Sequence, residues 1–424
     1  MSYPESVRYL YSLGNELKAG TKFGLGGMET LLAELGNPES GQRFVHVAGT
    51  NGKGSTCAMI ARALQEAGFR TGLYTSPHLI EPTERIQIDG APLSKADFAN
   101  TFQIVHEAAE RLLLSGRLEA HPSYFETITA MAFWLFRERC DFGVIEVGLG
   151  GRLDATNVVK PELCVITPIA FDHEAYLGNT LEAIAAEKAG ILKPGVPVVI
   201  SKQPPPAETI LCERARELQC EIIRTSEARL TAITATLHSS RFTLGAESFE
   251  CGLAGRHQIE NATAAILACR RLSLPITAIQ SGVENVRWPG RLEFASHAPD
   301  FVLDGAHNPA GATALAAYIR KFCSGRPVWL VYGAMRDKAV EEVTGQIFPL
   351  AQHVIVTAPG LARAVRPETI LALHNHTNAC TAPSLPQAVE LARAAPRDAV
   401  VFFTGSLFLV GEARELLVRT PVAV

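Results

Sequence analysis

The segments Phe142-Gly-Val-Ile-Glu-Val147 and Leu163-Cys-Val-Ile-Thr167 are almost unbroken apolar runs with no alternation of polar and apolar positions. A strand without a polar face must be covered on both sides, the condition of a parallel sheet sandwiched between helices. Further strands are expected at Arg43–Val47, Thr71–Thr75 and Val196–Ile200. Between them lie stretches with helical periodicity at about Lys53–Ala67, Ala96–Leu114, Tyr124–Arg137 and Leu181–Leu192. From about Leu230 to Leu253 the pattern changes to short segments such as Ser240–Leu244 and Ser248–Cys251, which predict antiparallel strands. A helix over Gln258–Leu272 precedes the break Trp288-Pro-Gly-Arg291. The α/β alternation then restarts, with strands expected at Phe301–Leu303, Val328–Tyr332, Val354–Val356 and Val400–Phe403. Helices are expected at about 311–322, 338–349, 384–395 and 409–418. The boundary near 286–298 predicts two α/β domains, 1–288 and 289–424.

Composition excludes several classes. With 34 Gly and 25 Pro in 424 residues, the chain is far from the roughly 25–30% of low-complexity polymers. A formal charge of −4 argues against a nucleic-acid binder that relies on bulk positive charge. No apolar run reaches the roughly 18 residues of a membrane helix, and Met1–Ser6 lacks the basic start and apolar core of a signal peptide. The 9 Cys show no Cys-x-x-Cys pair, which reads as reduced thiols in a cytoplasmic protein.

The strongest local signal is Val47-Ala-Gly-Thr-Asn-Gly-Lys-Gly-Ser-Thr56, between an expected strand and an expected helix. A glycine-rich turn presents backbone N–H groups, and the helix N-terminus adds its dipole, so Gly49, Thr50, Asn51, Gly52, Lys53, Gly54, Ser55 and Thr56 suit the phosphates of a nucleotide. Lys53 can reach the β- and γ-phosphates, and the hydroxyl of Ser55 or Thr56 can face Mg²⁺. The strict G-x4-G-K-[ST] spacing fails, because Val47 stands where its first glycine belongs and Gly54 follows the lysine. Glu146 closes a buried strand, where open parallel sheets bind ligands, and its carboxylate is a hard donor for Mg²⁺.

The loop resembles the ATP loop of the Mur ligase superfamily. Tyr74-Thr-Ser-Pro-His-Leu79 with Glu84-Arg-Ile86 is similar to the folate branch, the folylpolyglutamate and dihydrofolate synthases. Further matches are Lys22–Leu25, Leu35–Pro38, Glu146–Asn157, Asp172-His173, Glu187–Ile191, Leu303–Pro309 and Gly405-Ser406, so the resemblance runs along essentially the whole chain. It implies an N-terminal P-loop ATPase domain with a mostly parallel sheet and a smaller, Rossmann-like C-terminal glutamate ligase domain.

The resemblance also implies site residues. Ser76, Glu146 and His173 would bind Mg²⁺, although imidazole is an unusual partner for so hard an ion. Lys188, on an otherwise apolar helix, would be carbamylated and support a second Mg²⁺; the plainer reading is a lysine whose stem lies along the core surface. Lys53, His173 and Lys188 are the expected catalytic groups. Asn261, Arg291, Asp304 and His307 match ATP-binding positions, and an ATP held between the domains would couple closure to catalysis. The expected folate side comprises Thr75, Pro77, His78, Arg85, Tyr124, Phe125 and Asp154. Tyr124 or Phe125 could stack on the flat pterin, although an aromatic on a helix is more often core.

The function expected is an ATP-dependent ligase that joins L-glutamate to folate, or to dihydropteroate, through an acyl phosphate. The partners expected are these small molecules alone, with no nucleic acid and no membrane, in a cytoplasmic monomer. Two other readings stand beside it. One is a Mur ligase acting on a UDP-muramoyl precursor, disfavoured by Thr75–Leu79 and by the lack of an extra N-terminal UDP-binding domain. The other is a nucleotide-binding regulator without ligase chemistry, disfavoured by the intact Glu146, His173 and Lys188.

Overall fold

The computed structural model describes residues 1–14, 24–374 and 376–418. Lys22 and Phe23, part of the Lys22–Leu25 match, lie outside the described residues. By contacts the chain forms two compact units. The first comprises Met1–Ile169, Asn179–Arg229 and Glu260–Val286; the second comprises Ala170–Gly178, Leu230–Ile259 and Arg287–Val424.

The first unit is built on an eight-stranded sheet. Its strands are β1 (Arg43–Ala48), β2 (Thr71–Tyr74), β3 (Ile86–Ile88), β4 (Ala91–Pro92), β5 (Phe142–Glu146), β6 (Leu163–Ile166), β7 (Val198–Ile200) and β8 (Ile222–Arg224). Their order is β4-β3-β2-β5-β1-β6-β7-β8. From β2 to β8 all neighbours are parallel, whereas β3 and β4 add an antiparallel edge. The strands read as continuously apolar are buried along their whole length, as sandwiching requires. Gly72 and Gly143 sit opposite each other in the β2–β5 register, and both lie under the Phe136 ring. This flat spot lets the helix Tyr124–Arg139 settle on the sheet. Its N-terminus is fixed by a reciprocal cap, in which Ser123 N–H donates to Glu126 at 2.8 Å and Glu126 N–H donates to Ser123 Oγ at 3.3 Å.

The second unit contains two sheets. A three-stranded antiparallel sheet has the order β11 (Glu247–Cys251), β10 (Ser240–Leu244), β9 (Leu230–Ala235). A six-stranded sheet is formed by β12 (Glu293–Ser296), β13 (Asp300–Leu303), β14 (Val328–Tyr332), β15 (His353–Val356), β16 (Ala379–Thr381) and β17 (Val400–Thr404), in the order β12-β13-β17-β14-β15-β16. Only β12 pairs antiparallel there. Helices Pro309–Phe322, Val340–Ile347 and Leu385–Arg393 cover it, and Phe402, Leu330 and Val302 lie at the bottom of the core.

The buried strands fall within a residue or two of their expected positions. The structure adds helices at Tyr3–Ser12, Gly26–Glu34, Pro205–Glu217 and Ile276–Glu284, and short strands such as β8, β12 and β16 that carry no strong pattern. Gly282, in the helix Ile276–Glu284, allows close contact with the helix Lys53–Glu66: a Cβ there would stand 2.5 Å from the Ala63 backbone. Gly282→Val should therefore lower unfolding stability by about 1–3 kcal/mol in denaturant titration. Wild-type stability would show that the two helices are not in close contact.

Candidate active site

Sheet register brings several loops of the first unit to one edge. Val47 pairs with Glu146, and Ala48 with Ile166, so the turns after β1, β5 and β6 leave together at the carboxyl ends. Gly49 and Gly52 have φ of +144° and +88°, backbone that an L side chain resists. A Cβ at Gly49 would collide with Thr167, and one at Gly52 with the side chain of Asn261. The loop is thus walled by the turn after β6 on one side and by buried Asn261 on the other. Thr50 and Asn51 donate their N–H groups to the Pro168 carbonyl at 3.0 and 3.1 Å. Gly52 caps the helix Lys53–Glu66, and Ser55 and Thr56 are buried in its first turn. Lys53 folds over the loop, with Nζ 3.2 Å from Gly49 O and 3.1 Å from Thr50 O.

Lys188 projects from the helix Leu181–Ala189 onto the same loop. It is buried, and its ammonium donates to Gly49 O at 2.8 Å. Glu146 is also buried, at the end of β5, and its Oε2 accepts from Ser76 N–H at 3.1 Å. Two ionisable groups expected at the metal site, Lys188 and Glu146, and the backbone of a third residue, Ser76, therefore belong to this edge. Neighbouring Gly148 is required by packing, since a Cβ there would stand 2.5 Å from the Phe125 ring.

The expected folate residues form a connected group in the first unit. The segment after β2 is pinned by Glu84, which accepts from the N–H groups of Leu79, Ile80 and Glu81 at 2.8, 3.1 and 2.9 Å. Thr75 N–H donates to Arg85 O at 3.0 Å, and Pro77 follows Ser76 through a cis peptide. Arg85, almost wholly buried, donates Nε to His78 Nδ1 at 2.8 Å, with its guanidinium 5.1 Å from the centre of the Tyr124 ring. Tyr11 stacks on Tyr124 at 5.8 Å, and its hydroxyl lies 3.3 Å from His78 Nε2. Asp154 is placed differently. Its carboxylate accepts from Leu149 N–H at 2.9 Å, Thr156 N–H at 3.0 Å and Thr156 Oγ1 at 2.5 Å, so it braces the loop after β5.

The remaining expected residues lie in the second unit, with His173 and His307 beside Asp172. Its carboxylate meets Lys338 Nζ at 2.6 Å, Asn308 Nδ2 at 3.0 Å and His307 Nε2 at 3.4 Å. Burial pushes this carboxyl up, but the His307 hydrogen bond and the charges of His307 and Lys338 outweigh it and hold it well below the carboxylate range. His173 has φ of +53°, and its Nε2 lies 3.2 Å from Lys338 Nζ. Asp304 is buried and accepts from Leu292 N–H at 3.0 Å and Ala306 N–H at 3.1 Å, which ties together the two sides of the Arg291 turn. Burial raises its pKa against the opposing charge of Arg291. The Arg291 guanidinium lies against Gly305, where a Cβ would collide with it.

Sequence reasoning missed Lys338, Asn308 and Tyr11 as members of these networks. Asn308 carries the one local signal: its side chain caps the helix Pro309–Phe322 at Gly311 N–H, 2.8 Å away, as the Asn-Pro pair suggests. Lys338 and Tyr11 reach their partners through tertiary structure alone.

Comparison with known proteins gives a consistent result. Residues 47–269 match the Mur ligase middle domain, and residues 290–407 match the Mur ligase glutamate ligase domain. The chain is 34% identical to a dihydrofolate synthase/folylpolyglutamate synthase of Bacillus subtilis, over 95% of this chain and 96% of that one. It is 35% identical to a folylpolyglutamate synthase of Lacticaseibacillus casei, over 98% and 99%. Among solved structures, a folylpolyglutamate synthase of Mycobacterium tuberculosis complexed with ADP superposes with a TM-score of 0.92 at 31% identity, covering 99% of this chain and 100% of that one.

Several buried histidines set the pH response. Burial pushes His46 and His78 down to about 3, and His173 and His257 to about 4, with the charges of Lys193, Arg85, Lys338 and Arg291 respectively adding to the effect. The unfolded chain takes up these protons near the ordinary histidine value of about 6.5, before the folded chain does. Stability is therefore complete above about pH 6.5 and is lost as pH falls through the folded values. Denaturant midpoints should decline steadily from pH 7 to pH 5, and His46→Gln should flatten part of the slope. A level wild-type profile over that range would show that these histidines are not depressed in the folded chain.

Proposed function

The chain belongs to the folylpolyglutamate and dihydrofolate synthase branch of the Mur ligase family, an ATP-dependent ligase of glutamate to folates, and from that premise we propose that its P-loop edge makes an acyl phosphate of the folate carboxylate. The observation that carries this reading is the convergence of Lys53, Lys188 and Glu146 on one edge of the sheet. A carboxylate is a poor electrophile. Its oxygen takes the γ-phosphoryl group of ATP, ADP leaves, and the acyl carbon becomes open to attack. The amine of glutamate then bonds to that carbon and loses a proton, while the acyl C–O bond breaks and phosphate departs.

In this reading, the N–H groups at the helix N-terminus, from Gly52 to Ser55, cradle the ATP phosphates, while Thr50 and Asn51 hold the loop on the Pro168 carbonyl. Lys53 turns from its carbonyl partners to the transferring group, where its positive charge opposes the negative charge that develops. Asn261, Arg291, Asp304 and His307 are the further proposed nucleotide residues, with Asp304 acting by holding the Arg291 turn. Glu146, a buried carboxylate beside Ser76, suits a hard divalent ion, so these residues fit Mg²⁺. His173, held neutral by burial, is proposed as a further ligand, and Lys188 as the carrier of a carbamate that supports a second ion. When bound, Mg²⁺ neutralises phosphate charge and orients the transferring group.

Thr75, Pro77, His78, Arg85, Tyr124, Phe125 and Asp154 are proposed to receive the folate, with the Asp154 carboxylate also tying the loop after β5. Arg85 and the Tyr124 ring offer a cation and a flat face to a conjugated, anionic substrate. Both glutamylation of tetrahydrofolate and conversion of dihydropteroate to dihydrofolate are proposed, in a cytoplasmic monomer. Among the described residues, no helix is long and apolar enough to cross a membrane.

ADP release by the purified chain, with glutamate and each acceptor in turn, tests the reading. Turnover is expected with dihydropteroate and with tetrahydrofolate. Turnover only with a UDP-muramoyl acceptor would overturn the folate assignment, and none with any acceptor would overturn the ligase. Glu146→Gln should abolish turnover while keeping the unfolding midpoint, and a near-wild-type rate would remove Glu146 from the metal site. Lys188→Ala should regain part of its activity with a small added carboxylate, whereas an unmodified lysine in crystals of active enzyme would count against the carbamate.

A further inference from the structure

A second cluster of metal-ligating groups lies in the first unit, built from residues that the ligase chemistry does not use. His106 and Glu110 are one turn apart on the helix Lys95–Leu114, so they share a face. His121 returns to them from the segment that follows. His106 Nδ1 is 3.9 Å and His121 Nε2 is 3.8 Å from the same Glu110 Oε1, and the three donor atoms lie within 4.8 Å of one another. Both ring nitrogens are buried without a hydrogen-bond partner. That is costly for a polar atom and calls for an explanation.

The orientation of the rings explains what the cluster is prepared to hold. His121 Nδ1 lies 2.9 Å from the Pro122 carbonyl, which can only accept, so this nitrogen carries the proton and Nε2 presents a lone pair to Glu110. A backbone carbonyl on the far nitrogen is the usual means of orienting a metal-binding imidazole. The rings are also fixed by packing. Tyr9 meets His106 at 4.6 Å and His121 at 5.5 Å, and Phe102 stacks on His106 at 5.5 Å. The His121 lone pair, the unpartnered His106 Nδ1 and Glu110 Oε1, which also accepts from the Tyr9 hydroxyl at 3.5 Å, thus face one point, where a cation would satisfy all three.

We propose that His106 Nδ1, His121 Nε2 and Glu110 Oε1 form a binding site for a Zn²⁺-class transition-metal ion, separate from the Mg²⁺ chemistry of the P-loop edge. Imidazole donors favour zinc, nickel or copper over magnesium, so excess Mg²⁺ does not occupy it. Zinc–ligand bonds of about 2.0–2.2 Å place tetrahedral donors roughly 3.3 Å apart, so each pair with Glu110 closes by about half an ångström. Glu110 is 44% exposed, which leaves a path for entry and room for water as a fourth ligand. The bound ion would join the helix Lys95–Leu114 to the segment carrying His121 under the Tyr9 ring, so its effect is on the stability of that corner.

The test uses the full-length chain, stripped with a chelator and titrated calorimetrically with Zn²⁺ in the presence of excess Mg²⁺. One tight equivalent is expected, with a rise in unfolding temperature. His106→Gln and His121→Gln should each weaken binding by more than about tenfold, since even partners of metal ligands are worth about 10–100-fold. Glu146→Gln should keep the equivalent. No tight equivalent in the wild type, equal binding in both histidine variants, or loss in Glu146→Gln would each overturn the proposal. X-ray absorption of the zinc-loaded wild-type chain gives a readout that needs no variant. A nitrogen and oxygen shell with imidazole scattering is expected, and a sulfur shell would assign the metal to cysteine instead.

Discussion

The register that sets β1 between β5 and β6 is the constraint on which the active-site edge depends. It aligns Val47 with Glu146 and Ala48 with Ile166, so the phosphate loop, the Glu146 loop and the Thr167 turn start at one level. A slip of one residue would turn every side chain of β1 to the opposite face and take the Phe44 ring off Gly143, where a Cβ would stand 2.6 Å from it. From that alignment follow the wall that Thr167 gives Gly49, and the N–H groups of Thr50 and Asn51 held on Pro168 O. Lys188 completes the edge by donating to the Gly49 carbonyl from a helix well separated in sequence.

The net charge of −4 offers no general attraction for ATP or for a folate tail, so charge must be concentrated locally. The structure does so with groups whose partners are fixed. Lys338 is held on Asp172 and Arg85 on His78, while Lys53 is held on backbone carbonyls. A buried charge loses several kcal/mol of hydration, and such partners offset part of that loss. The neutral histidines follow from the same burial, because a second positive charge beside Arg85, Arg291 or Lys338 would be costly.

Much of the fold was legible because a parallel sheet covered on both faces imposes an apolar run that few other structures share. Val328–Tyr332 is found with the bounds expected, and β5 and β6 differ by a residue. Elements without that burial were not legible: β8 and β12 are half-exposed and short, and the helix Pro205–Glu217 begins inside a proline run that reads locally as a loop. The site divides in the same way. The glycine loop and Glu146 are expected from local pattern, and the Thr75–Leu79 segment from its resemblance to the folate branch. Lys338 and Tyr11 are not, since their roles come from tertiary contacts with Asp172 and His78. Asp154, expected on the folate side from the resemblance, has a second role that its motif does not show, since its carboxylate ties the loop after β5.

The central claim is that the folate carboxylate is activated by phosphorylation before glutamate attacks. Atom bookkeeping tests it directly. With the reacting carboxylate labelled with oxygen-18, and with ATP and glutamate supplied, the phosphate released should contain one labelled oxygen, carried over when the acyl C–O bond breaks. Unlabelled phosphate from a turnover that forms the amide would contradict an acyl phosphate, and with it the role given to the P-loop edge.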